Sequence, residues 1–151
     1  MKIEEAIKQE KPFKDIQNKA MINLLYTASW LQTIMNLAIK PFNISIQQYN
    51  ILRILKGQHP YSASIKLLQE RMLDKMSNAS RLVEKLYEKK LVDRVICPND
   101  RRRVEVTILD EGLIVLENAT IALDKILKEK INKFSNDDSQ NLNDLLDKFR
   151  N

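Results

Sequence analysis

The 151-residue sequence predicts a mainly α fold interrupted once by a pair of β-strands. Three observations carry this expectation. Glycine occurs twice and proline four times, so breaks are few and well marked. Apolar residues recur at three- and four-residue spacings over most of the chain. Between residues 92 and 108 that period drops to two.

The first long helix is expected between Pro12 and Ile39, with Ile16, Ala20, Leu24, Leu31, Met35 and Ala38 on one stripe and Leu25, Ala28, Ile34 and Leu37 widening it. Pro41 ends it, because the residue before a proline is pushed out of the helical region. Ser45 and Gln48 form the S-x-x-Q pattern of a capping box and open a second helix. That helix buries Ile51, Leu52, Ile54 and Leu55 and is expected to stop near Gly57. Ser62 or Ser64 can cap a short third helix carrying Ile65, Leu67, Leu68 and Met72.

After a tight Leu73-Asp74-Lys75 connection, Asp74 is the expected N-cap of a fourth helix and Ser77 an alternative one. Ala79, Leu82, Val83 and Leu86 form the inner stripe. Lys75, Ser77, Asn78, Ser80, Arg81, Glu84 and Lys85 form the outer face. Two short helices, a tight turn and small polar and basic residues early on the second helix read as a helix-turn-helix. Residues 92–97 and 104–108 then alternate as a hairpin whose tip contains Arg101, Arg102 and Arg103. The expected architecture is therefore a winged helix-turn-helix with a two-stranded β-wing. Helical periodicity returns at Asp110 and continues, with a break near Ser135, to the last residues.

Charge is distributed to match. The net charge is +5, and the stretch from Gln58 to Arg103, with 11 basic and six acidic residues, accounts for all of it. A neutral frame with a basic insert suits a polyanion. One Cys and one His leave no disulfide framework, no Cys-based zinc site and no His cluster. With no Gly-rich phosphate loop and no nucleophile elbow, neither a cofactor nor enzymatic activity is expected. The first residues, MKIEEAIKQEKPFKD, are charged throughout, and no apolar run is long enough to span a membrane. A cytoplasmic chain without a membrane partner is the expectation.

The terminal helices carry more apolar surface than a winged helix of this size can cover. A homodimer built from residues 12–40 and 110–151, with 45–109 as the winged helix region of one domain, would bury it. Double-stranded DNA is the expected partner, since two reading heads on a two-fold axis match a palindrome. Ser77, Asn78, Ser80 and Arg81 are candidates for base edges in the major groove, with Lys75 beside them. Arg102 is the candidate for the minor groove, held by a charge-assisted bond from Asp100, while Arg101 and Arg103 meet phosphates. The competing class is a winged helix that binds protein and not DNA. RNA fits poorly because a helix cannot read the narrow A-form major groove.

The run from Ser45 to Gly112 resembles the MarR-type winged helix transcription regulators. The resemblance rests on S-x-x-Q-Y-x-I-L at Ser45–Leu52, L-x-x-R-M-x-x-x-x-S-x-x-S-R-L-V-x-x-L at Leu68–Leu86, L-V-x-R at Leu91–Arg94 and C-P-N-D-R-R at Cys97–Arg102. Asp100-x-Arg102 looks like the family's wing motif. Lys90 stands where the family usually has Gly, which implies a left-handed non-Gly residue. Leu109 stands where a capping Thr is common, which leaves Asp110 to cap. The resemblance implies a repressor released by a small, often aromatic, ligand between the dimer helices and the winged domain. Tyr26, Trp30 and Tyr49 are the aromatic residues available to line such a cleft. Cys97, alone on a strand, is expected to be inert, and His59 to be a solvated loop residue.

Overall fold

The computed structural model describes residues 1–151, which form two compact units, 1–37 and 38–151. The first unit holds a short helix α1 (Ile3–Ala6), absent from the sequence expectation, and most of α2 (Ile16–Ile39). Lys19 on α2 is ion-paired with Glu4 on α1. That contact holds the Glu4 carboxyl below its ordinary range. On α2, Ile16, Leu25 and Leu37 are exposed.

In the second unit a single 3₁₀ turn (Lys40–Phe42) carries Pro41 and ends at Asn43 in the left-handed region. Helix α3 (Ile46–Gln58) opens with the expected capping box: Ser45 Oγ accepts the Gln48 N–H, and Gln48 Oε1 accepts the Ser45 N–H. It does not stop at Gly57. The helix runs on through Gln58 to His59, whose N–H reaches Leu55 O at 2.9 Å. Pro60 ends it, since its ring disfavours a helical residue before it.

Ser64, not Ser62, caps α4 (Ile65–Arg71) by accepting the Leu67 N–H. Helix α5 (Ala79–Glu88) closes with a left-handed Lys90 at φ 59°, as the missing glycine implied. The Lys90 N–H reaches Tyr87 O, and the Leu91 N–H reaches Leu86 O. This is a Schellman closure whose outer residues, Leu86 and Leu91, are both buried.

Strands β2 (Val92–Cys97) and β3 (Asp100–Ile108) make the hairpin, and the sheet gains a third strand that the sequence did not announce. This is β1 (Ala63–Ser64), two residues long, paired antiparallel with Val106 and Glu105. The wing is thus rooted beside α4.

Helix α6 (Asp110–Ile131) starts without a side-chain cap, which corrects the role expected of Asp110. Leu109 occupies the cap position and donates its N–H to Leu91 O. Asp110 lies in the first turn with Glu111, where carboxylates complement the helix dipole. Helix α7 (Asn136–Arg150) follows a Ser135–Asp138 capping box.

The core of this unit is built from Ile51, Leu52 and Leu55 of α3, Leu68, Met72, Val83 and Leu86 of the helix-turn-helix, Val92 and Val106 of the sheet, and Leu116 of α6. Ile54 and Leu82, expected inside, are half-buried. Helix α7 buries no residue, and Leu145 and Phe149 lie in solvent. No helix is long and apolar enough to cross a membrane.

Candidate nucleic-acid interface

The turn between α4 and α5 is set by one amide. Gln69 Oε1 accepts the Ala79 N–H at 3.0 Å, and Gln69 Nε2 donates to Ser77 O at 2.8 Å. Inside the turn, Asp74 accepts the Met76 N–H and the Ser77 hydroxyl. These bonds hold the Asp74 carboxyl below its ordinary value, the Ser77 contribution being the largest. Asp74 is therefore not the N-cap of α5, and neither is Ser77. Asn78 takes that position in an extended conformation, its Oδ1 accepting the Arg81 N–H at 3.0 Å. The Gln69 amide decides this by pulling the chain tight up to Ala79, so the helix starts later than expected.

The correction changes what each polar group can offer a ligand. Lys75 and Ser77 lie in the turn and not on the helix. Lys75 Nζ donates to Glu70 O at 2.6 Å, which ties its ammonium back to α4. The Ser77 hydroxyl has spent its proton on Asp74 and presents lone pairs. Asn78 has spent its carbonyl and presents two N–H donors. Ser80 and Arg81 are exposed on the first turn of α5.

In the hairpin, Cys97 faces Asp100, so Pro98 and Asn99 form the tip. Asp100 Oδ1 accepts the backbone N–H of Arg102 at 3.0 Å. It fixes the turn and not the guanidinium, which corrects the expected charge-assisted bond. Arg103 is also not a free cation. Its Nε donates to Glu105 Oε1 at 2.8 Å, and Ser62 donates to Glu105 Oε2 at 2.8 Å. The Arg103 guanidinium, and after it the Ser62 hydroxyl, hold Glu105 below the usual carboxylate range, while Arg103 is raised. Arg101, Arg102 and Arg103 all stand on β3 and not at the tip, which corrects their expected position, and Arg101 and Arg102 are exposed there.

Ser77, Asn78 and Ser80 border one open concave surface together with Arg102 of the wing. Lys66, Gln69 and Met76 border it as well. Sequence reasoning named none of these three as site residues, nor Ile65 and Glu70, which complete the border. The exposed side of α4 was the available signal for Lys66. For Gln69 and Met76 no local pattern existed.

The aromatic candidates lie apart in character. Tyr26 and Trp30 are partly exposed on α2 in the first unit. Tyr49 belongs to the core of the second. Its hydroxyl lies 3.0 Å from Thr120 Oγ1, which itself donates to Leu116 O, so Tyr49 is the donor of that pair. Tyr49 is 6% exposed, and its hydroxyl is committed to a partner.

A helix-turn-helix whose second helix shares a concave surface with a basic β-hairpin defines the winged helix class. The MarR family model matches residues 44–104, the winged helix segment of this chain. Over 93 residues the chain is 28% identical to the HTH-type transcriptional regulator YhbI of Bacillus subtilis, a stretch covering 62% of this chain and 59% of that relative. The MarR transcription factor of Planctomyces limnophilus superposes with a TM-score of 0.69 at 26% identity, over 90% of this chain and 98% of the other. The fold is also that of BpsR from Bordetella bronchiseptica, whose DNA binding is regulated by 6-hydroxynicotinic acid. That structure matches with a TM-score of 0.74 at 19% identity, over 88% and 99% of the two chains.

Proposed function

We propose that this protein is a sequence-specific, double-stranded DNA-binding transcription regulator, acting as a homodimer on a palindromic operator. The observation that carries the reading is the shared concave surface. Asn78 and Ser80, at the start of α5, face the same space as Arg102 of the wing. Helix α5 enters the major groove with Asn78 donating to acceptor edges and Ser77 accepting from exocyclic amines. Arg102 reaches the neighbouring minor groove, where narrow A·T segments attract a guanidinium. Lys66, Arg81 and Arg101 neutralise phosphates, and most of the affinity comes from the counterions they release.

The homodimer is supported by the apolar side chains that the terminal helices leave in water, among them Leu25 on α2 and Leu145 and Phe149 on α7. Repression relieved by a small aromatic compound, with Tyr26 and Trp30 among its contacts, is supported by the ligand-regulated DNA binding of BpsR. Tyr49 is left out of that ligand set because the core and Thr120 occupy it.

The test is a titration of the full-length protein with duplexes covering the upstream region of its own gene, at several salt concentrations. Binding should weaken linearly on a log–log salt plot, Arg102→Ala should weaken it further, and Arg101→Ala should lower the slope by about one for each copy of Arg101 engaged. An affinity indifferent to salt and to Arg102→Ala overturns the reading.

A further inference from the structure

The turn Asp74–Asn78 carries five side chains, and four of them fix the turn itself. Asp74 holds the Met76 N–H and the Ser77 hydroxyl, Lys75 reaches Glu70 O, and Asn78 caps α5. Gln69 clasps the segment from outside. The fifth, Met76, is 94% exposed. Its backbone is pinned while its thioether chain stands in solvent, at the edge of the surface that Asn78, Ser80 and Arg102 also border.

A pinned apolar side chain on a border where Lys66 and Arg102 outnumber the one carboxylate, Glu70, and the rest are mostly hydrogen-bonding groups calls for a ligand with an apolar spot on an otherwise polar, anionic face. The major groove of duplex DNA has one such group, the C5-methyl of thymine. An unbranched, polarisable thioether packs well on a small methyl because it can adjust its torsions to it. Asn78, two residues on, offers N–H donors, and thymine presents its O4 acceptor beside that methyl. We propose that Met76 is a specificity-determining residue that selects thymine in each half of the operator by packing on its C5-methyl. The inference rests on the proposed reading of this surface as a duplex-binding one.

The experiment begins by selecting bound duplexes from a random pool with the full-length protein at fixed salt. Each thymine of the selected site is then replaced singly by uracil, which removes the methyl and nothing else. One thymine position in each half should weaken wild-type binding by roughly three- to fivefold on replacement, the worth of one buried methyl. Met76→Ala should abolish the penalty at that position, leaving the salt slope and the other positions as they were. Met76→Leu, which keeps an apolar tip, should retain it. An unchanged thymine-to-uracil profile in Met76→Ala, or a wild-type protein indifferent to every replacement, overturns the assignment. Failure of the wild-type protein to retain any duplex overturns the DNA reading itself, a distinct result.

Discussion

Arg94 on β2 grips Glu84 on α5 through both terminal nitrogens of its guanidinium, with Nη2 3.0 Å from Glu84 Oε1, and lies 4.6 Å from the centre of the Tyr87 ring. This is a lateral tie between the wing and the helix beside it, made by a planar fork that Lys could not imitate. Both carboxylate and guanidinium are partly exposed, so solvent screens the pair. Arg94→Lys should therefore cost no more than about 1 kcal/mol in urea unfolding. Amide hydrogen exchange in residues 92–108 should nonetheless speed up relative to the core of α3. Equal exchange in both proteins would mean that the fork does not restrain the wing.

Gly112 and Gly57 should respond to alanine with opposite signs. A Cβ on Gly112 would lie 2.1 Å from Leu91 O and 2.8 Å from Ile108 Cγ1, and the first of these is backbone that cannot step aside. Gly112→Ala is expected to destabilise by roughly 2–3 kcal/mol, the upper part of the range for overpacking. Around Gly57 nothing lies within 4 Å, so Gly57→Ala should stabilise by up to about 1 kcal/mol through helix propensity. Denaturant midpoints of the two variants decide the matter.

Lys90 pays a conformational cost that its partners cover. Its φ of 59° lies where a Cβ crowds the following carbonyl, yet the Schellman bonds and the buried Leu86 and Leu91 keep it there. Lys90→Gly is expected to raise stability by about 0.5–1 kcal/mol, with little change elsewhere because Lys90 is exposed. A drop in the unfolding midpoint would contradict the strain account.

Acid should loosen the α4–α5 turn and the root of the wing together. The Asp74 carboxyl is held below its ordinary 3.8, chiefly by the Ser77 hydroxyl and then by the Met76 N–H. Glu105 is held below 4.5, chiefly by Arg103 and then by Ser62. A carboxyl depressed in the folded state stabilises it above the ordinary value. That contribution is lost as the pH falls through the depressed one. The urea midpoint should thus decline below about pH 4.5, and the decline should be shallower in a D74N/E105Q double variant, which has no charge to lose at either position. Parallel declines would exclude these two groups as its source.

Features set by near neighbours could be read from the sequence. The Ser45–Gln48 box and the β2–β3 hairpin follow from residue types a few positions apart, because capping and strand alternation are local events. The left-handed Lys90 followed from the resemblance, in which a glycine usually stands at that place. The start of α5 could not be read that way. Asp74, Ser77 and Asn78 are all competent caps, and Gln69 chose among them through a bond to Ala79, ten residues along the chain. Strand β1 was invisible for a similar reason. Its two residues are too few for any periodicity and exist as a strand only because Val106 and Glu105 lie alongside.

By itself the sequence determined the types of the long elements, most of the inner stripes of α3 and α5 and the location of the basic charge. These follow from periodicity and composition, which do not depend on where the chain goes next. Only the tertiary structure decided which polar groups remain free to meet a ligand. It committed Tyr49 to Thr120 and Arg103 to Glu105, partners 71 and two residues away. It left Arg102 and Met76 in solvent at the border of one surface. A hydrogen-bonding group has only a few bonds to give, and whether they are spent inside the molecule depends on what folding brings within about 3 Å of it.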